Sequence, residues 1–202
     1  MSELRNGIGQ PIGFAVPDWV SRETPPRTPL EGRFCRVEPL DVTRHAEDLY
    51  RADCADAEGS VWTYLPYGPF RDFEAYRHWM ENTCLGDDPL FYAVINLKTG
   101  TAVGVASYMR IDPANGVIEV GHINYSPALQ RTAAGTEAMY LMMKRAFDEM
   151  GYRRYEWKCD NLNVASMRAA QRYGFSFEGV FRQAVVTKGR NRDTAWFAII
   201  DK

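Results

Sequence analysis

The sequence predicts an α+β fold: a mixed, mostly antiparallel, twisted sheet of about six to seven strands, flanked by about four helices and splayed at the central strand before Gln130. Three observations lead there. Runs that alternate or are rich in β-branched and aromatic residues recur along the chain, three of them as a meander between Leu90 and Tyr125. Helical segments fall between these runs at about residues 41–54, 73–83, 137–150 and 164–173. The third of them connects two strands with no hairpin turn, which forces one parallel step, right-handed by rule. The sheet is expected to splay where that helix begins.

Residues 1–30 carry Pro11, Pro17, Pro25, Pro26 and Pro29 and no clear period, so they read as an extended arm tacked down by Ile12, Phe14, Val16 and Trp19. Such an arm packs on the surface, serves a homodimer interface or covers a substrate. Residues 31–202 read as one domain. Arg33 to Leu40 alternates as a first strand stopped by Pro39, and Asp41 caps the helix that follows. Val61 to Phe70 is an aromatic loop punctuated by Pro66, Gly68 and Pro69, either a cleft wall or a lid on the core. Asp72 caps the second helix. In the meander, Lys98-Thr99-Gly100 is one turn, and Asn115-Gly116 supplies the positive φ of the next. Gly151 and Gly174 end the last two helices. Strands from Phe175 to Arg182 and Thr194 to Ile200 close the fold through a polar hairpin around Gly189.

With 46% apolar residues the chain can bury a full core, and a net charge of −2 suggests neither a nucleic-acid nor a membrane partner. No apolar run is long enough to span a bilayer. Cys35, Cys54, Cys84 and Cys159 form no CxxC pair and follow no signal peptide, so reduced thiols in the cytoplasm are expected, without a metal. No Gly-x-x-x-x-Gly-Lys-Ser/Thr follows any strand, which excludes a phosphate-loop nucleotide enzyme.

Gln130-Arg131-Thr132-Ala133-Ala134-Gly135-Thr136 organises the rest. Small residues between a strand and a helix leave the first helical N–H groups pointing outward beside the positive end of the helix dipole, a ready anion site. On the preceding strand Glu119 is flanked by Val117, Ile118 and Val120, so partial desolvation is expected to raise its pKa toward that of a useful base. A salt bridge to a neighbouring strand is the plainer role for it. His122 is a rival base, and alternation puts it on the opposite face from Glu119, so the two cannot serve one site.

The chain resembles the GNAT-superfamily N-acyltransferases over about residues 31 to 200. Their pyrophosphate motif, Gln/Arg-x-x-Gly-x-Gly/Ala, matches Gln130 to Gly135, with Ala133 in place of the first glycine. Cys159-Asp160-Asn161-Leu162-Asn163-Val164-Ala165-Ser166, Tyr173-Gly174-Phe175 and Glu178-Gly179 are similar to the C-terminal motif of the ribosomal-protein alanine N-acetyltransferase branch. The resemblance implies a GNAT-like sheet and transfer of an acyl group, most commonly acetyl from acetyl-CoA as co-substrate, to a primary amine of a protein N-terminus or a small molecule. It implies a pyrophosphate on the N–H groups of Arg131 to Thr136, and pantetheine bound by main-chain groups of Ile123, Asn124 and Tyr125 and by Asn163. Glu119 stands at the spacing of the family's strand glutamate base. Ala170 occupies the place of the tyrosine that many members use to protonate the thiolate, Tyr173 is too far round the helix to replace it, and Ser166 fits the serine of the resembled branch. Cys159 falls near the coenzyme thiol, although a buried structural cysteine is its simpler role. The alternative is a non-catalytic acyl-CoA-binding sensor with the same fold.

Overall fold

The computed structural model describes residues 4–202. Among them, eight strands form one sheet in the order β1-β2-β3-β4-β5-β6-β8-β7. These are β1 (Leu30–Glu31), β2 (Cys35–Pro39), β3 (Leu90–Asn96), β4 (Thr101–Asp112), β5 (Val117–Tyr125), β6 (Arg154–Asp160), β7 (Ser176–Thr187) and β8 (Arg190–Ile200). The strand beyond the expected seven is the two-residue edge β1, too short to leave a periodic signal. Every neighbouring pair is antiparallel except β5 and β6.

The helices are α1 (Val42–Asp53), α2 (Phe73–Thr83), α3 (Ala133–Lys144, continued by a wider π-type turn over Arg145–Glu149) and α4 (Val164–Arg172). Each opens on a side chain that accepts an otherwise unpaired N–H: Asp41 from Arg44, Asp72 from Ala75, Thr132 from Gly135 and Asn163 from Ser166. The helix expected from Glu137 therefore begins four residues earlier, because Thr132 caps it. Strand β3 shows how the layers arise. Leu90, Tyr92 and Val94 join Met139 and Met142 of α3 on one face, and Phe91, Ala93 and Ile95 join Leu49 of α1 and Met80 of α2 on the other.

The sheet splays as expected, and the register shows how. β6 pairs with β5 only from Val117 to Val120, then follows β8 along its whole length. From Gly121 to Tyr125, β5 has no partner strand on that side. At the same point β5 bulges: His122 has φ +48° and the register against β4 shifts between Val105 and Ser107.

The first turn of α3 is fixed from behind. The Glu137 carboxylate accepts the N–H groups of Arg33, Phe34 and Cys35 at 2.8, 2.6 and 2.9 Å. Burial works against this anion, but the three backbone donors outweigh it and hold its pKa below the usual carboxylate value.

The arm is held differently from the expectation. Ile12, Phe14 and Val16 are exposed, and of the four named residues only Trp19 is half-buried, its indole N–H donating to the Ala114 carbonyl at 2.8 Å. Body side chains grip the backbone of the following segment: Tyr152 donates to Glu23, Tyr92 to Pro26, and Arg145 to Thr28 and Pro29.

One buried acid sits between α1 and β5. Asp53 accepts from the Asn124 amide at 3.1 Å and from the Tyr76 hydroxyl at 3.4 Å. Burial outweighs both bonds and raises its pKa from 3.8 to about 7. A raised carboxyl pKa means that the folded state holds the proton more tightly than the unfolded one. The stabilisation is complete below about pH 4 and is lost as pH rises through about 7. Asp53→Asn is expected to flatten this slope and to stabilise the protein at pH 8 by on the order of 4 kcal/mol. Urea unfolding at pH 4.5 and pH 8 checks both.

Candidate active site

Three features meet along β5: an N–H-lined turn, a crevice and a charged cavity. The turn after β5 places Arg131 in the left-handed region, at φ +59°. Of the six N–H groups from Arg131 to Thr136, three are engaged internally: Thr132 to Leu129, Gly135 to the Thr132 hydroxyl and Thr136 to the Thr132 carbonyl. Those of Arg131, Ala133 and Ala134 have no protein partner among the described residues. Ala133 is the first helical residue and its methyl is exposed, so packing within the protein does not demand glycine there. Gly135 is different, since a Cβ on it would lie 2.7 Å from the Leu129 carbonyl oxygen. The Gln130 amide donates to the Tyr125 carbonyl at 2.7 Å and holds the turn to the end of β5.

The crevice opens where β5 leaves β6 and has a volume of about 340 Å³. Ile123, Asn124, Tyr125, Gln130, Asn163 and Ser166 line it. Tyr173 lines it as well, at the far end of α4 from Asn163, whereas Ala170 is fully buried. Asn163 uses its side-chain oxygen to cap α4 at 3.0 Å. The Ser166 oxygen accepts from the Trp157 indole at 2.9 Å, and its hydroxyl is in hydrogen-bond reach of the Cys159 sulfur. Burial pushes the nearby Cys159 thiol up, as suits a structural cysteine.

A larger cavity of about 580 Å³ lies beyond, and the two share Val61, Tyr64, Ile123, Trp157, Asn163 and Ser166. The loop from Val61 contributes on both counts foreseen for it: Tyr64 and Pro66 line the cavity, while Trp62 and Phe70 pack against Tyr76. The β7–β8 hairpin forms the opposite wall, and Lys188 crosses from it to donate to the Trp62 carbonyl at 2.8 Å.

Glu119 lies in the cavity wall, 2% exposed. It is not the lone carboxylate among apolar neighbours that its sequence surroundings suggest. Arg110 reaches both its oxygens at 2.8 Å and Lys158 reaches one at 2.7 Å. The Lys158 ammonium is also 2.7 Å from Glu156 and lies 3.7 Å from the centre of the Trp196 ring. The plainer reading of Glu119, a salt bridge to a neighbouring strand, is thus part of its geometry.

His122 does not face away from Glu119. The bulge at His122 breaks the alternation, and both side chains line the same cavity. Its Nδ1 is 3.1 Å from the Tyr67 hydroxyl, and its ring packs against Phe91. Burial first, then the charges of Arg110 and Arg192, lower its pKa to about 4, so it is neutral at pH 7.

An N–H-lined helix start, a splayed strand pair and a cavity around a strand glutamate now stand together. Residues 36–176 match the family described as the acetyltransferase (GNAT) domain. The chain belongs to that family. It is similar to a GCN5-related N-acetyltransferase from Brucella melitensis, at 47% identity with a TM-score of 0.89, over 91% of this chain and 83% of that one. A probable GNAT-family acetyltransferase from Chromobacterium violaceum is 43% identical with a TM-score of 0.87, over 95% and 96% of the two chains. The probable N-acetyltransferase YjcK of Bacillus subtilis is 25% identical over 181 residues, 85% of this chain and 97% of that protein. The protein is thus an N-acetyltransferase.

Sequence reasoning missed several residues that line the cavity of this acetyltransferase: Arg110, Lys158, Arg192 and Thr194. One signal was available for Lys158. In the parallel register Glu119 stands directly beside Glu156, and two buried neighbouring carboxylates require a cation on their own face of the sheet. No cluster of His, Cys, Asp and Glu that could hold a metal is found among the described residues, and no helix there is long and apolar enough to cross a membrane. Removing Lys158 leaves both glutamates facing each other. Lys158→Met is expected to destabilise the protein by about 3 kcal/mol or more, and adding Glu156→Gln should recover part of that loss, as read from urea midpoints at constant slope.

Proposed function

We propose that this protein transfers acetyl from acetyl-CoA to a primary amine by direct attack of the amine on the thioester. The observation that carries the reading is the continuity of the crevice with the cavity at Ile123, Trp157, Asn163 and Ser166. A donor with its pyrophosphate at the start of α3 and its arm along β5 would deliver its thioester to that junction. There an amine entering through the cavity meets it.

The pyrophosphate is bound by the free N–H groups of Arg131, Ala133 and Ala134, which need no reorganisation to receive it, with the Arg131 charge beside them. The unpaired edge of β5 from Gly121 to Tyr125 accepts pantetheine as an added strand, with Asn163 facing it. Glu119, fixed by Arg110 and Lys158, takes the ammonium proton through a water, which makes the nitrogen a nucleophile. Attack gives a tetrahedral adduct. Its collapse breaks the C–S bond and forms the amide; the adduct's second amine proton leaves to solvent, and the thiolate, hydrogen-bonded by the Ser166 hydroxyl, takes up one from solvent to become the thiol.

His122 is the second candidate for the base, because the bulge brings it into the same cavity. Burial and the charges of Arg110 and Arg192 lower its pKa to about 4, which leaves it a poor holder of a proton at neutral pH. Glu119→Gln is expected to lower kcat by about 10²–10⁴-fold, while acetyl-CoA affinity by calorimetry stays within about threefold of wild type, since no donor contact is assigned to Glu119. A larger loss in His122→Asn than in Glu119→Gln would reverse the assignment. Ser166→Ala is expected to slow thiol release by about tenfold, measured at saturating amine.

A further inference from the structure

The cations in the cavity are unequally matched. Arg110 and Lys158 are held by Glu119, and Lys158 also by Glu156. The Arg192 side chain on β8 makes no hydrogen bond or ion pair with any described residue, and its Nε is buried without a partner. Two residues along the same strand, Thr194 is 6% exposed and its hydroxyl is likewise buried without a partner. Residues two apart on a strand share a face, and Arg192, Thr194 and Trp196 all line the cavity. Buried polar side chains in a folded protein find partners, so two orphans side by side in one cavity wall point to a ligand group that completes them.

The character of that group follows from the donors. A guanidinium has five N–H donors and no acceptor, and its planar fork matches a carboxylate or phosphate. A threonine hydroxyl can add one more donor. Arg110 and Lys158 are matched by Glu119 and Glu156, which leaves Arg192 and Asp160 as the lining's charges without an ion pair, and of these two only Arg192 has an orphaned buried donor. A plain alkylamine enters as a cation and has no acceptor to offer the Arg192 and Thr194 donors. An amine that also bears an anion does. Phe181 stacks on Trp196 at 4.4 Å, and Tyr64 stands across from them in the same lining, a surface for an apolar body.

We infer that Arg192 and Thr194 form the recognition site for an oxyanion carried by the acceptor itself, so that the preferred acceptors are amino acids or short peptides whose amine lies near a free carboxylate. This rests on the acetyl-transfer reading above and names the substrate class for the same site. Arg192 and Thr194 are specificity-determining residues here and take no part in the proton transfers.

The test is thiol release from acetyl-CoA with matched acceptors: phenylalanine and phenylalaninamide, the dipeptide Phe-Gly and its amide, phenethylamine, and the phosphonic-acid analogue of phenylalanine. The acids are expected to exceed their amides at least tenfold in kcat/KM, mainly through KM. Arg192→Gln should bring that ratio to about one, and Thr194→Val should reduce it by a smaller factor. Preference for the phosphonate over the carboxylate would make the ligand a phosphate-type anion held by the same pair. Equal rates for acids and amides, or a ratio that survives Arg192→Gln, overturn the inference while leaving acetyl transfer intact. Absence of turnover with every amine counts against the acetyl-transfer reading for this class, and binding then decides the inference separately. N-acetylphenylalanine should quench tryptophan fluorescence at least tenfold more tightly than its amide, and Arg192→Gln should abolish the difference. Equal binding of acid and amide, or no binding of either, overturns it.

Discussion

Two carboxylates and one ammonium hold the centre of this sheet. The parallel register of β5 and β6 sets Glu119 beside Glu156, both nearly buried, and Lys158 lies 2.7 Å from an oxygen of each. Arg110 extends the row at one end, and Arg154, paired with Glu156 and Glu178, at the other. Apolar residues of the same volume stabilise a sheet as well or better than buried ions do. What the row supplies is position. It fixes a carboxylate at one point in a cavity wall, one residue before the paired stretch of β5 and β6 ends at Val120 and Trp157.

The rest of the site follows from that ending. Beyond Val120 the strands part, since β6 stays with β8 and β5 turns away through the bulge at His122. The parting does three jobs at once: it opens the crevice, leaves an unpaired edge on β5 and aims the strand at the start of α3. Thr132 begins that helix early, Glu137 fixes its first turn from behind, and Gly135 lets the turn close on Leu129. Membership of the GNAT acetyltransferase family rests on the chain's match to it. The geometry gives the fold a crevice and a cavity that meet at one short junction.

Features written in a few consecutive residues were legible in the sequence. Asp41 and Asp72 cap their helices, Gly116 takes φ +61° in its turn, and Gly151 takes φ +68° after the π-type end of α3. The parallel step between β5 and β6 was legible too, because a helix crossover between neighbouring strands requires it. Features that depend on register were not. The partners of Glu119 come from β4 and from β6, the latter 39 residues along the chain, and no periodicity in either strand reveals them. His122 was assigned to the wrong face because alternation assumes an unbroken ladder, and one left-handed residue breaks it. The arm misled for a related reason: its apolar residues suggested burial, whereas it is held by carbonyl groups of residues 23–29 and by the polar ends of Trp19 and Arg27.

That last feature bears on how the protein can change over generations. Tyr152, Tyr92 and Arg145 grip the segment by the oxygens of Glu23, Pro26, Thr28 and Pro29, groups that every amino acid possesses. The gripped residues can therefore be exchanged with little loss of hold, whereas each gripping side chain can be replaced only at the loss of a bond. Sequence drift should gather at those four positions, and their three anchors in the body should resist it.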